Sequence, residues 1–320
     1  MKRAVVTGGA GFIGSHLVEE LASQGFHVTI VDDLSTGKMA NVERLCSDGH
    51  VDFAQESIVN LPVLRKLFRA ADYVFHQAAL ASVPLSIDRP ELANEVNVTG
   101  TLNVLLAARD NDARKVVFAS SAAVYGDTPP LPNKEDTTPS PMSPYAVTKL
   151  AGEHYCRVFQ EVYGVPTVCL RYFNVYGPRQ DVNSWYSAAI SKFIHLVSAG
   201  EPPVIFGDGD QARDFVFVRD IVRANIMAAE SAATGVYNIG TGTSVSVNEL
   251  ATKIVSAMGR QMEPVHAPPR PGDIRLSVAD VSRARVFDYR PRTSLEEGLL
   301  ETVGSLPALA PRRPAGPVSA

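Results

Sequence analysis

The sequence predicts an α/β protein: a doubly wound parallel sheet joined to a smaller mixed α/β lobe. Three observations carry that expectation. Short β-rich runs alternate with helical patterns through the first half, which implies parallel strands covered by helices on both faces. A glycine-rich segment, Gly8-Gly9-Ala10-Gly11-Phe12-Ile13-Gly14, lies between the first such run and the first helical one. Beyond about Gly177 the rhythm loosens into shorter pieces.

The elements follow in order. Residues 4–6 read as a buried strand, and residues 14–21 as a helix, with Leu17, Val18 and Leu21 at helical spacing. Strands are expected at 27–31, 51–54 and 73–75, then a long helix at 92–108 and a strand at 116–119. A proline-rich loop follows, with Pro129, Pro130, Pro132, Pro139, Pro141 and Pro144. A helix at 145–163 and a strand at 167–170 complete the first unit. In the second unit, 185–199 reads as a helix. Residues 204–206 and 215–218 read as strands around the turn Gly207-Asp208-Gly209-Asp210, 236–239 as a strand and 247–258 as a helix. The expected division is 1–175 for the nucleotide-binding unit and 176–304 for an interleaved second lobe. Residues 305–320, rich in Pro, Ala and Arg, form a frayed tail.

Composition narrows the function. With 320 residues the chain has room for roughly two lobes of about 150 residues. Apolar residues make up 45% and charged residues 20%, which excludes wholesale disorder. The charge sum, 30 − 34 = −4, argues against a nucleic-acid partner bound through a basic surface. Cys46, Cys156 and Cys169 form no Cys-x-x-Cys, so neither a structural metal nor a disulfide framework is expected. Free thiols suit a reducing compartment, and the cytoplasm is the expected location. No apolar run approaches the roughly 18 residues needed to cross a bilayer, so no membrane partner is expected.

The glycines have a physical task. Gly8, Gly11 and Gly14 permit a tight turn, close approach of the backbone to a pyrophosphate, and close helix–strand packing. The helix N-terminus then offers free N–H groups to the anion. An acid, Asp32, follows Gly14 by 18 residues at the end of the second strand. There a carboxylate accepts ribose hydroxyls and repels a 2′-phosphate, which favours NAD over NADP, although Lys38 lies close by. This is a Rossmann-type arrangement.

Tyr145 and Lys149 are four residues apart on one helical face. A tyrosine is a poor base at neutral pH, and a neighbouring ammonium is expected to lower its pKa. Ser120-Ser121 leave the C-terminal end of a strand, where ligands bind in open α/β sheets, so Ser121 can hydrogen-bond the same substrate oxygen.

With these motifs in order, the chain resembles the extended short-chain dehydrogenase/reductases, and within them the NAD-dependent nucleotide-sugar 4-epimerases. The resemblance extends from Gly8 to about Asp280. Besides the motifs above it rests on His76-Gln77-Ala78-Ala79, Asn97 in Asn-Val-Thr-Gly-Thr, Arg171 to Arg179 (RYFNVYGPR), Arg213-Asp214-Phe215 and Arg270-Pro271-Gly272-Asp273. It implies NAD as cofactor. Phe12 and Ile13 would lie under the pyrophosphate, Asp32 would hold the adenosine ribose, and Ser57 and Ile58 would border the adenine. Ala78, Ala79, Ala81 and Phe173 would line the nicotinamide side, Asn97 would help hold the cofactor, and Lys149 would also grip the nicotinamide ribose. The family often has lysine where this chain has Ala81, so one cofactor contact is absent.

The same resemblance makes Asn174, Arg213, Arg270 and Asp273 the binding group for a UDP-sugar. Paired guanidinium groups suit a diphosphate. Arg213 and Arg270 each have an aspartate nearby, so a surface ion pair is the competing explanation for either alone. Trp185 and Tyr186 begin the segment that covers the nucleobase in the family, although lone aromatics are more often core.

Two positions choose among reactions. Related dehydratases and decarboxylases carry an acid after the strand-end serine, where this chain has Ala122 and Ala123; an alanine moves no proton. At Ser277, four residues after Asp273, a bulky side chain in the family restricts the pocket to glucose and galactose, so serine implies room for an N-acetyl group. The expected reaction is 4-epimerisation of a UDP-hexose through a 4-keto sugar, with Ser121, Tyr145 and Lys149 catalytic. A nucleotide-4-keto-sugar reductase and a non-catalytic dinucleotide-binding protein are the alternatives. The family's helix-bundle homodimer would use helices 92–108 and 145–163, whose apolar residues ordinary helix-on-sheet packing explains equally well.

Overall fold

The structure is a computed structural model that describes residues 1–47, 49–127, 130–181, 189–269 and 274–306. The first unit runs β1 (Arg3–Thr7), α1 (Phe12–Ser23), β2 (His27–Asp32), α2 (Glu43–Cys46), β3 (Val51–Gln55), α3 (Leu61–Leu67) and β4 (Tyr73–His76). It continues through α4 (Val83–Asp88), α5 (Pro90–Asn94), α6 (Gly100–Asp110), β5 (Lys115–Ser121), α7 (Pro144–Tyr163) and β6 (Thr167–Tyr172). The remainder holds β7 (Asn174–Tyr176), α8 (Ala189–Ser198), β8 (Val204–Phe206), β9 (Ala212–Arg213), β10 (Phe215–Phe217), α9 (Val218–Glu230) and β11 (Gly235–Ile239). It ends with β12 (Val245–Ser246), α10 (Val247–Ala257), β13 (Val265–Ala267), β14 (Leu276–Ser277) and α11 (Leu295–Gly304).

Seven parallel strands form the main sheet in the order β11-β6-β5-β4-β1-β2-β3. The chain reverses direction across the sheet between β1 and β4, and a crevice opens there beyond the carboxyl ends of the strands. Alternate side chains of each strand enter opposite cores, which is why these strands read as continuous apolar runs. Ala4 and Val6 pack with Leu17, Val18 and Leu21 of α1 and Ile221 of α9. Val5 packs on the other face with Leu105 of α6 and with Cys156 and Phe159 of α7.

The expected helix at 92–108 is interrupted. A π-helical turn over Glu95–Thr99 separates α5 from α6. Over so short a run, helical apolar spacing does not distinguish a widened turn from an ordinary one; such turns recur at functional sites. The strand beginning at 215 ends one residue earlier than expected, and the strands flanking the 207–210 turn do not pair with each other. Instead β8 pairs with β13 and β10 with β7, both in parallel.

β11 adds to the main sheet beside β6, and α9 packs on that sheet, so membership crosses the expected division at residue 175. The smaller lobe has its own core, built from Phe193 and Ile194 of α8, Leu250 and Ile254 of α10 and Leu299 of α11. Its central piece is the three-stranded sheet β12-β9-β14. Of the expected tail, residues 307–320 lie outside the described residues.

Candidate active site

The phosphate loop is built by close approach. Gly8 adopts φ +69°, and its N–H donates to Val31 O at 2.8 Å. A Cβ on Gly14 would lie 2.0 Å from Gly8 O, and one on Gly8 would lie 2.7 Å from Ala78 N. No other residue type fits either place without moving backbone. Gly11 caps α1 without a side-chain acceptor, and the first turn of α1 carries no acid. The positive end of α1 is thus left for an external anion, which is the arrangement a pyrophosphate requires. Phe12 and Ile13 are half-buried behind it, against the core of the smaller lobe.

Asp32 ends β2 beside this loop. Its carboxylate accepts the N–H groups of Ala10 and Leu34, both at 2.9 Å. Burial pushes its pKa up, and the backbone hydrogen bonds oppose that rise. Lys38, which weakened the preference for NAD, pairs with Asp181 at 3.5 Å in an exposed contact. Ile58 turns its side chain into the core, where a Cβ on Gly100 would approach its Cδ1 to 2.5 Å; its neighbour Ser57 stays half-exposed.

The loop after β4 forms the other wall. Ala78 and Ala79 are half-buried and Ala81 is exposed. Asn97, in the π turn, uses both ends of its amide to hold this wall. Its Oδ1 accepts Leu80 N–H at 2.7 Å, and its Nδ2 donates to Leu80 O at 3.1 Å and to Thr148 Oγ1 at 3.0 Å. Its role here is to fasten the loop. His76 is fully buried between Thr7 and Thr101, at 2.8 and 2.9 Å; burial pushes its pKa down to about 3, so the ring is neutral.

Ser121, Tyr145 and Lys149 converge at the end of β5. Ser121 lies close enough to the Tyr145 hydroxyl to lower its pKa, and its Oγ accepts Ala123 N–H at 3.2 Å. Lys149 is buried. Its Nζ donates to Ala119 O at 2.7 Å and lies 5.9 Å from the Tyr145 ring centre. The pKa balance differs from the expectation that Lys149 acidifies Tyr145. Burial pushes Tyr145 up, the Ser121 hydrogen bond pulls it down, and burial pulls Lys149 down to about 8. Desolvation is the largest influence on both groups, because both are buried, and it disfavours the charged form of each.

Glu153, Arg171 and Ser120 form a buried group below this trio, of which Glu153 escaped the sequence reading. Glu153 accepts both Arg171 Nε and Nη2, at 2.8 and 2.7 Å, and Ser120 Oγ at 2.5 Å. The available signal was spacing: Glu153 is one turn beyond Lys149 on the same helical face.

On the substrate side, Phe173 is buried beside Tyr125, with ring centres 6.4 Å apart. Asn174 Nδ2 donates to Asp214 O at 3.1 Å. Arg213 is half-buried in β9, directly opposite Ser277 in β14. Asp214 is fully buried. Its carboxylate accepts Thr241 N–H and Oγ1, Gly242 N–H and Ala279 N–H at 2.7–3.2 Å, so it anchors the strand that carries Arg213. Arg270 and Asp273, and Trp185 and Tyr186, lie outside the described residues.

Known proteins of one family share the sequence and fold of this chain. A model of the NAD dependent epimerase/dehydratase family matches residues 4–240. UDP-glucose 4-epimerase of Mycolicibacterium smegmatis is 41% identical over 305 residues, covering 94% of this chain and 97% of that protein. The structure of UDP-N-acetylglucosamine 4-epimerase from Methanobrevibacter ruminantium, in complex with UDP-N-acetylmuramic acid, superposes with a TM-score of 0.92 at 44% identity. That match covers 95% of this chain and 97% of the other. UDP-glucose 4-epimerase of Thermus thermophilus, in complex with NAD, gives a TM-score of 0.86 at 39% identity over 95% and 98% of the two chains.

The lowered pKa of Lys149 has a measurable consequence. Its value falls from 10.5 to about 8 on folding, so the unfolded chain holds this proton more tightly. Between those values the stability of the cofactor-free protein rises with pH on this account. Lys149→Met removes the penalty and loses one hydrogen bond. It should therefore be more stable than the parent by about 2 kcal/mol at neutral pH. Urea titrations should show that gap closing towards pH 10.5; a gap independent of pH would contradict the assignment.

Proposed function

We propose the reaction from one premise: the chain belongs to the NAD-dependent epimerase/dehydratase family. It is an isomerase that inverts C4 of a UDP-hexose, with NAD as its cofactor. The observation that carries this reading is the hydroxyl pair Tyr145–Ser121, beside the buried Lys149 and across the crevice from the phosphate loop. The glycine cradle and the uncapped start of α1 fit a dinucleotide. When bound, oxidised NAD supplies a hydride acceptor, and a positive charge, at the sugar carbon.

The residues of the chain supply the rest. Tyr145 takes the proton from O4 of the hexose as the base and returns it at the end. Ser121 Oγ holds the same oxygen as it becomes a carbonyl. Lys149, fixed by its bond to Ala119 O, stands beside the Tyr145 ring, where its positive charge works against the burial that raises the Tyr145 pKa. Arg213 binds the diphosphate as a planar donor, with its strand held by Asp214. Inversion requires a firm hold on the nucleotide and a loose one on the sugar, so that the keto sugar presents its other face. Ala122 and Ala123, which open the turn after Ser121, carry no proton-transfer group, which supports epimerisation over loss of water or carbon dioxide.

We further propose that UDP-N-acetylglucosamine is a substrate, because the small Ser277 lies opposite Arg213 in the adjacent strand. A homodimer is proposed on different grounds. Val147, Val158 and Val162 are 52%, 40% and 66% exposed and repeat at helical spacing along α7, an apolar stripe that the described residues leave uncovered.

Four results test these readings. Product analysis by NMR, without added reductant, should show the C4 epimer and no net redox change. Tyr145→Phe should lower turnover by about 10²–10⁴-fold; turnover near that of the parent would remove Tyr145 from its role. Ser277→Tyr should lower turnover of UDP-N-acetylglucosamine by about tenfold or more, with UDP-glucose little affected; equal rates on the hexosamine would discard the pocket argument. Light scattering should return twice the chain mass, and a monomer would rule out the α7 interface.

A further inference from the structure

The first turn of α7 raises the question of where its backbone donors go. The opening N–H groups of an α-helix have no partner inside the helix. In α7 the first position is Pro144, which has no N–H. The Ala146 N–H goes to Oγ of the capping residue Ser143, at 3.2 Å. The remaining one is the N–H of Tyr145 itself. It donates to Ser86 Oγ at 3.1 Å, across 59 residues of sequence. Ser86 belongs to α4 and has no exposed surface. Its own hydroxyl proton is committed to Val83 O at 2.6 Å, which leaves a lone pair for Tyr145.

The carbonyl of Tyr145 is tied to the same segment by another route. Thr148 Oγ1 donates to Tyr145 O at 2.8 Å and accepts from Asn97 Nδ2 at 3.0 Å, while Asn97 grips Leu80 at both its N–H and its carbonyl. Both backbone polar groups of Tyr145 are therefore fastened to the stretch from Leu80 to Ser86. That stretch continues directly from the wall formed by Ala78 and Ala79.

We infer that Ser86 is a positioning residue for the reaction: its hydroxyl sets the height of Tyr145 above the crevice, so that the phenol meets Ser121 and the sugar oxygen together. Helix propensity alone does not fix that height, because a helix can slide or tilt by a fraction of an ångström without losing internal bonds. The tether matters because proton transfer depends steeply on distance, and a misplacement of about 1 Å can cost 10²-fold. The inference rests on the proposed role of Tyr145 as base.

The test is a double-mutant cycle on the full chain with NAD bound. Ser86→Ala should lower kcat by about 10–100-fold, with KM for UDP-glucose within about twofold and the bound nucleotide unchanged. In a Tyr145→Phe background the same change should add less than about twofold, since no base remains to be positioned. Ser86→Thr keeps the hydroxyl and should recover most of kcat. Thr148→Val, which cuts the other tie, should reproduce the kcat-only loss, and it covers the case in which Ser86→Ala folds poorly. An unchanged kcat in Ser86→Ala, or an equal loss in both backgrounds, would overturn the inference while leaving the proposed function intact. A Tyr145→Phe enzyme with parental turnover would overturn the assignment of the base and this inference with it.

Discussion

Glu153 and Arg171 face each other between α7 and β6 with side chains only 4% exposed. Removing two charges from water is costly, and such a pair holds only if its hydrogen bonding is nearly complete. Here it is. Arg171 makes a two-pronged contact with the carboxylate, donates to Glu135 O at 3.3 Å and lies over the Tyr125 ring at 4.7 Å. Glu153 also accepts from Ser120. The result is one register among α7, β5 and β6, because any slip would strand a buried charge. Lys149 is one turn from Glu153, and Ser121 is the next residue after Ser120. Ser121, Tyr145 and Lys149 thus inherit their spacing from an ion pair that the proposed chemistry does not use.

The crevice above that pair exists because of chain direction. The strand order separates the helices that follow β1 and β4 to opposite sides, leaving a gap between the two strand ends. Gly8 meets Ala78 across this gap at a separation that no side chain on Gly8 would permit. Asp32 holds Ala10 at the loop's far side. The loop is therefore held in shape by contacts of the chain itself, and such preorganisation lowers the ordering cost of binding.

The smaller lobe is held by the same means. Asp214 is a buried carboxylate with four donors on it, gathered from β11's trailing loop and from Ala279. It ties β9 and β10 to the main sheet, and β9 in turn places Arg213 next to Ser277. The groups proposed to bind the diphosphate and to shape the sugar pocket are thus neighbours on adjacent strands, although 64 residues separate them along the chain (277 − 213 = 64).

The amino-acid sequence by itself determined the parallel sheet, the phosphate loop, Asp32 and the Tyr145–Lys149 face. Each is written in neighbouring residues: glycines whose missing Cβ is needed locally, apolar repeats of fixed period, two side chains one turn apart. Tertiary structure alone decided the π turn at Asn97, the parallel pairing of β8 with β13 rather than a hairpin, and the hold of Ser86 on Tyr145. It also decided the direction of the Tyr145 pKa, which spacing along a helix suggested would fall and burial in fact raises. The reason is common to all of these. A hydrogen bond between distant segments, or the dryness of a crevice, depends on which surfaces meet after folding, and no local pattern of residue types records that.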